Sequence, residues 1–155
     1  RDRRERWIQD DKNQALQAQV NATDRDNTAW LKQVVTTQGW PPISKVGRDG
    51  AQNAWLLVQH ADLDPAFQEQ VLTLMRAAVA KGEAPGIQLA YLTDRVRRAQ
   101  GKPQVYGTQF IIDEKLEPEP IEDPEHVDAR RAAVGLGTMA EYREQLAALY
   151  LHKGS

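Results

Sequence analysis

The sequence predicts a mainly α-helical fold, a single-domain bundle of about six to seven helices with a short β-hairpin inserted near residues 104–121. Apolar residues recur at helical spacing over most of the chain, and capping residues, Gly and Pro bound these stretches. A strand-like pattern appears only after residue 104. A length of 155 residues fits one domain, 1–155, whose core needs no disulfides.

The composition excludes several classes of protein. Lys and Arg number 20 against 22 Asp and Glu, and the net charge of −2 argues against a broad nucleic-acid-binding surface. The absence of Cys excludes disulfides, thiol catalysis and Cys-based zinc sites, and three His are few for a metal centre. No apolar run is long enough to span a bilayer. We therefore expect no metal, no cofactor, and neither a nucleic-acid nor a membrane partner.

The first three helices differ in how clearly the sequence marks them. Residues 1–25 are predicted to contain a peripheral N-terminal helix, because their apolar pattern is weak. A second helix is predicted over residues 27–38 and ends at Gly39. A third is predicted to begin after Asp49. Its run 54–58 is apolar nearly all round, which predicts the most buried helix of the bundle.

The fourth and fifth helices have clear boundaries. Asp64 followed by Pro65 is typical of a helix N-terminus, and Gly82 is expected to end that helix. The fifth helix is predicted over residues 85–100 and ends at Gly101.

The hairpin is predicted from β-branched and aromatic residues at 104–112, with a return strand at 116–121. Pro118 and Pro120 restrict the return segment to an edge strand or to extended coil, because proline donates no hydrogen bond to a sheet.

Two helices are predicted to close the chain. Asp123 before Pro124 predicts the start of one. Thr138 and Glu141 form the capping box of the other. Residues 151–155 are expected to be a disordered tail.

Two charged residues fall on apolar helix stripes. Asp94 lies seven residues after Ile87, and Arg131 lies between Val127 and Val134. A charge that faces a core costs several kcal/mol unless it is paired, so we expect Asp94 to be buried against an arginine, with Arg131 as one candidate. The pair is interpreted either as part of a site or as a buried ion pair that locks two helices together.

His60 directly follows the apolar run of the third helix. The helix dipole favours a charged imidazole there, and Asp62 and Asp64 are close enough in sequence to orient it. One hypothesis is a general acid/base or a ligand for an anion. The other is a histidine that caps the terminal carbonyls of the helix.

The string Tyr106, Gly107, Thr108, Gln109 combines three hydrogen-bonding side chains with a glycine that permits close backbone approach. It suits the polar wall of a pocket. It also suits a bulged strand that packs on the helices.

Together these strings resemble a bacterial family of small proteins that is classed only as a domain of unknown function. The strings are GWP at 39–41, AWLLVQHAD at 54–62, DRV at 94–96, GKPQ at 101–104, YGTQ at 106–109, DP at 123–124 and VDxRR at 127–131. The resemblance runs from about Asp26 to Tyr142.

The resemblance implies a grouping and no reaction, and its strings contain the polar residues singled out above. The chain also departs from the family. Asp11 is followed by Lys12 where members carry Gln, and Lys115 stands where a turn glycine is usual. Any contribution of the first helix to a shared site is therefore in doubt.

From these residues we expect a small-molecule-binding protein, an enzyme that applies histidine acid/base chemistry to an anionic substrate in a polar pocket without a metal. The predicted catalytic residues are His60, Asp94 and Tyr106. The predicted substrate-binding residues are Gln59, Arg95, Thr108, Gln109 and Arg131. We expect a cytoplasmic protein, or an exported form whose signal peptide has been removed, and leave a homo-oligomer open.

Two other functions compete with this one. The first is a non-catalytic protein-interaction module whose polar cluster is a structural ion-pair network and whose partners meet exposed Trp7 or Trp40. The second is a metal-dependent hydrolase using His60, Asp62 and a distant carboxylate. A cavity shared by His60 and Tyr106 would favour the enzyme.

Overall fold

The structure, a computed structural model, describes residues 26–151. It is mainly α-helical, as predicted, with six α-helices and one two-stranded antiparallel sheet in this range. The predicted N-terminal helix within residues 1–25 and the tail from residue 152 onward lie outside the described residues.

The elements follow one another in this order: α1 (26–38), α2 (Ile43–Gln59), α3 (Pro65–Ala80), α4 (Gly86–Ala99), β1 (Phe110–Ile111), β2 (Glu117–Pro118), a 3-10 turn (Pro124–His126), α5 (Val127–Ala133) and α6 (Met139–Tyr150).

The predicted helix caps of α3 and α6 are confirmed. The Asp64 carboxylate accepts a hydrogen bond from the Phe67 amide at 3.1 Å and one from Lys32 Nζ at 2.9 Å. Thr138 and Glu141 form the complete capping box of α6, each satisfying an amide of the other. These side chains replace the partners that the first amides of a helix lack.

The predicted start of α2 after Asp49 is wrong. The helix begins at Ile43 and is interrupted at Gly47, whose φ of 74° is not helical. The extra turn is stable because Glu83 satisfies its first amides: its carbonyl accepts from Ile43 at 3.2 Å and its carboxylate accepts from Ser44 at 3.0 Å. These partners come from a distant part of the chain.

The apolar core lies among α1 to α4. Its largest fully buried apolar side chains are Leu31, Val58, Phe67, Val71, Met75 and Leu92. The expectation that α2 is the most buried helix is wrong: five of its 17 residues are buried against six of 14 in α4, and Leu56 in its apolar run is 38% exposed. The expectation that Trp40 is exposed is also wrong, because Trp40 packs in this core.

The hairpin exists, but its strands are shorter than predicted. Phe110 pairs with Pro118 and Ile111 pairs with Glu117 in an antiparallel ladder. Outside it, Gln104 forms a single parallel bridge with Ile121. Proline at positions 118 and 120 removes ladder donors, which accounts for the short return strand.

Asp123 does not act as the predicted N-cap. Its backbone is left-handed, with φ of 43°, and its side chain makes no capping bond. A 3-10 turn therefore precedes α5.

Gly107 is the tightest point between the hairpin region and α6. Its φ is 66°, and a Cβ added there would lie 2.5 Å from Met139 Sδ and 3.2 Å from Ile121 Cδ1. The left-handed backbone therefore favours glycine at this position, and a Cβ added here would also force the end of the Met139 side chain to shift.

We expect Gly107→Ala to lower the free energy of unfolding by about 3 kcal/mol, the sum of the left-handed backbone cost and overpacking. Gly101→Ala is the matched control, because Gly101 has a φ of 70° but nothing within 4 Å of an added Cβ. The control should lose only about 1–2 kcal/mol in urea unfolding. Equal losses in the two variants would show that the contact with Met139 is unimportant.

Candidate functional site

Asp94 is fully buried and binds backbone amides. Its Oδ1 accepts from the amides of Val105 at 2.8 Å and Tyr106 at 3.0 Å, and its Oδ2 accepts from the amide of Thr108 at 2.9 Å and the Thr108 hydroxyl at 2.8 Å. The predicted burial is confirmed, but the predicted arginine partner is wrong. Four hydrogen bonds to the ionised group satisfy the carboxylate without one.

Arg131 is also buried, at 2% exposure, and it binds carbonyl groups. Its Nε donates to Gly137 O at 2.6 Å and its Nη1 donates to Tyr106 O at 2.8 Å. The guanidinium lies over the Tyr142 ring, 5.0 Å from its centroid. No ion pair joins Arg131 to a carboxylate within residues 26–151.

The two buried charges hold opposite sides of one turn, which we call the 105–108 turn. The amide of Tyr106 is bound by Asp94 and its carbonyl by Arg131. The peptide groups of the turn therefore lie between the negative charge of Asp94 and the positive charge of Arg131, and the peptide dipoles compensate both charges. We call Asp94 and Arg131 together the clamp.

Two further side chains fix the same turn. Arg130 Nε donates to Val105 O at 2.9 Å, and its Nη1 donates to Asp123 O at 3.1 Å. The Tyr142 hydroxyl donates to Thr108 O at 2.9 Å, and burial raises the pKa of Tyr142 well above its usual range. The turn is thus held from α4, α5 and α6 at once.

Gln104 is a buried organising residue that the sequence reasoning did not single out. Its Nε2 donates to Gln109 O and Glu119 O at 2.9 Å each, and its Oε1 accepts from the Gln109 amide at 2.9 Å. Gln109 Nε2 in turn donates to the Thr108 hydroxyl at 3.0 Å. The signal in the sequence that could have identified Gln104 is its place in GKPQ, one of the strings that carry the family resemblance.

Five predicted site residues thus meet in one hydrogen-bonded network: Asp94, Tyr106, Thr108, Gln109 and Arg131. The other three lie near the end of α2 or on α4. Gln59 is 5% exposed, and His60 is exposed at the C-cap of α2. Within residues 26–151, no hydrogen bond or ion pair of Gln59, His60 or Arg95 reaches the 105–108 turn.

Arg95 forms an ion pair with the carboxylate of Asp62. Its Nε and Nη2 bind the two oxygens of Asp62 at 2.9 and 2.8 Å, a bidentate pair. The Arg95 guanidinium holds the pKa of Asp62 below its usual range, and partial burial opposes that shift. Gln68 also donates to Asp62, at 3.2 Å.

Tyr106 connects the turn to a cavity of about 370 Å³ between α3, α4 and the segment that leads to the turn. Its lining residues are Glu69, Leu72, Thr73, Arg76, Leu89, Thr93, Val96, Arg97, Gln100, Lys102, Val105 and Tyr106. His60 is not among them. The cavity combines an apolar floor with three basic side chains and one carboxylate.

Two further features of the described part of the chain bear on chemistry. Among residues 26–151, no group of three or more His, Asp or Glu side chains is arranged to hold a metal ion. None of the helices described is long and apolar enough to cross a membrane.

The sequence pattern of a family of unknown function, DUF6624, matches residues 4–154. The chain belongs to this family. The match includes the whole clamp and the cavity, and it extends beyond the range of about 26–142 over which the sequence resembles an uncharacterised domain. No curated protein and no solved structure was found to match the chain. The bacterial origin stays a prediction.

We expect Asp94→Ala to reduce the free energy of unfolding by about 3–5 kcal/mol, because it leaves three buried amides and the Thr108 hydroxyl without their acceptor. Asp62→Ala is the control, since it removes a carboxylate from a partly exposed ion pair and should cost no more than about 1 kcal/mol. Urea unfolding of both variants measures the difference. A loss at Asp94 no larger than that at Asp62 would contradict the structural role of the clamp.

The Asp62–Arg95 pair predicts a pH dependence. Because the folded state lowers the pKa of Asp62, the pair stabilises the fold above the usual aspartate pKa of about 4 and loses this contribution as the pH falls through the lower folded value. We expect thermal melts of the wild type and of Asp62→Asn to differ at neutral pH and to converge as the pH is lowered past the usual aspartate pKa of about 4 and through the lower folded value. If the melting temperatures of the wild type and Asp62→Asn differ by the same amount from pH 7 to pH 2, the ionised Asp62 carboxylate does not stabilise the fold through Arg95.

Proposed function

We propose that the protein binds a small anionic molecule in the Tyr106 cavity. The observation that carries the proposal is the position of Tyr106: both polar groups of its backbone are bound by buried charges, and the residue lines the cavity. A binding site gains affinity when its groups are held in place before the ligand arrives. In this protein the clamp holds the backbone of Tyr106 in place before any ligand binds.

The charges of the cavity favour an anion. Arg76, Arg97 and Lys102 line it against the single carboxylate of Glu69. Arg97 donates its Nε to Pro103 O at 2.6 Å, and part of its charge is offset by Glu122, whose Oε1 lies 3.6 Å from Arg97 Nη2. Within the described residues, Arg76 and Lys102 make no side-chain ion pair, so their charges remain available to a ligand.

Apolar side chains form the other part of the cavity. Leu72, Leu89 and Val96 provide contact area for a small hydrocarbon body, and Tyr106 provides an aromatic face. An organic phosphate or carboxylate with a compact apolar group therefore suits the site better than a bare inorganic ion.

The acid/base role of His60 is a separate proposal, because His60 does not line this cavity. Its nearest support is Asp62, whose pKa its charge helps to lower. If His60 is a general acid/base, it acts at the end of α2 and not on an anion in the Tyr106 cavity, so His60→Gln should abolish any turnover and leave binding in that cavity unchanged. Unchanged turnover in this variant would remove His60 from the mechanism.

A second function, the non-catalytic interaction module, is favoured by one observation. Asp94 binds three backbone amides and the Thr108 hydroxyl, and the Arg131 Nε and Nη1 groups bind backbone carbonyls, so both charges are used within the protein, which is the arrangement expected of a structural network. Under this function the Tyr106 cavity would bind no anion. The following titration separates the two functions.

We expect phenyl phosphate to bind in the Tyr106 cavity and uncharged phenol to bind at least about tenfold more weakly, a difference of about 1.4 kcal/mol. Chemical-shift changes at the amides of Gln100 and Tyr106 report binding. Arg76→Gln and Lys102→Gln should each weaken it about tenfold, and Arg143→Gln, an exposed change on α6 outside the cavity, should not.

Equal affinity for phenol and phenyl phosphate would contradict an anion site. So would an effect of Arg143→Gln as large as that of Arg76→Gln, because a general loss of positive charge would then explain the result.

A further inference from the structure

The Tyr106 cavity lies along two antiparallel helices, α3 and α4. Asp62, which precedes α3, accepts from Gln68 near the start of α3 at 3.2 Å and from Arg95 near the end of α4 at 2.8 Å. Residues 81–85 connect the other two helix ends. The end of α4 therefore lies beside the start of α3, and the cavity is a groove whose two ends can be assigned.

The lining residues place basic side chains at both ends of this groove. Glu69 and Arg76 line it from α3, seven residues apart, which corresponds to about 10 Å along the helix axis. Arg97, in the last turn of α4, lies at the Glu69 end because the helices are antiparallel. Lys102 lies at that end as well, since its amide donates to Arg97 O at 2.9 Å. Arg76 is therefore at one end of the groove and Lys102 at the other.

Positive charge is in excess at each end. Of the described residues that line the groove, Arg76 is the charged one at its end. At the other end Arg97 and Lys102 face the carboxylate of Glu69, and Glu122 offsets part of the Arg97 charge. Arg76 and Lys102 are exposed and form no ion pair with any residue in 26–151, so a ligand can reach both.

The middle of the groove is apolar. Leu72 and Val96 line it and are each 5% exposed. The two threonines that line it, Thr73 and Thr93, donate their hydroxyl protons to carbonyls of their own helices at 3.4 and 2.7 Å. The middle therefore suits a hydrocarbon chain, and the ends suit anionic groups.

The separation of the two cations favours a ligand with two anionic groups. The side chains of Arg76 and Lys102 are long enough to bend toward one central anion such as phenyl phosphate, but this costs them rotamer freedom. A ligand that brings one anionic group to each cation does not require it. We propose that the groove binds an elongated dianion, in which an apolar chain joins a group bound by Arg76 to a group bound by Lys102. This proposal rests on the proposed function, because it takes the Tyr106 cavity as the anion site.

Suberate is the probe, and monomethyl suberate is its comparison, because the ester keeps the chain and removes one charge. An extended suberate chain separates its two carboxylates by about 8–9 Å, close to the length of the groove, whereas succinate separates them by only about 4 Å. Amide shifts of Thr73 and Gln100 in the full ¹⁵N-labelled chain report binding, since both residues line the groove. We expect the wild type to bind suberate at least about tenfold more tightly than either comparison.

Two variants test the assignment of the ends. Arg76→Gln and Lys102→Gln should each reduce the preference for suberate over monomethyl suberate to less than about threefold, because each leaves one carboxylate without a cation. Arg98→Gln is the matched control: Arg98 follows Arg97 on α4 and is exposed, but it does not line this groove. The control should keep the preference of the wild type.

Equal binding of suberate and monomethyl suberate by the wild type would overturn the proposal, and this comparison needs no variant. Succinate binding as tight as that of suberate would also overturn it, as would a loss of preference in Arg98→Gln as large as that in Arg76→Gln. If phenyl phosphate binds while any of these results is obtained, the cavity is an anion site for a shorter ligand and only the present proposal fails. If neither phenyl phosphate nor suberate binds, the proposed function fails as well.

Discussion

The carboxylate of Asp94 is the constraint on which the rest of this structure depends. It is fully buried, and it is compensated by three amides and a hydroxyl from the 105–108 turn. A buried carboxylate without such partners would be too costly for a domain of this size to tolerate. The turn must therefore close over α4 whenever the protein is folded. The hairpin, which is too short to be stable alone, takes its position from that closure.

Arg131 makes the closure specific. It binds the carbonyl side of the turn that Asp94 binds from the amide side, so the turn is held in a single orientation between α4 and α5. Gly107 allows this because its backbone is left-handed and an added Cβ would collide with Met139. The consequence for function is that Tyr106 lines a cavity with a backbone that is fixed by hydrogen bonds on both sides. The fixed turn joins the buried charges to the proposed anion site.

The sequence predicted most of the described helices and the burial of Asp94, but not the start of α2 or the partner of Asp94. Caps such as Asp64 and Thr138 act within one helical turn, so their residues alone predict the contact. The burial of Asp94 was inferred from Ile87, which is itself 40% exposed; the 105–108 turn, and not the stripe through Ile87, covers the carboxylate. Backbone amides are the same at every position, so no residue pattern could identify them as the partners. The separation of His60 from the Tyr106 cavity depends on the packing of distant segments, which the sequence pattern does not determine.

A double-mutant cycle between Asp94→Asn and Arg131→Met tests most directly whether the two charges act together through the 105–108 turn. The two residues form no ion pair, so any coupling must pass through the turn that both of them bind. We expect the free energies of unfolding of the two single variants and the double variant to give a coupling energy of about 1–3 kcal/mol. Additive losses, within about 0.5 kcal/mol, would show that Asp94 and Arg131 stabilise separate parts of the fold and would contradict this account.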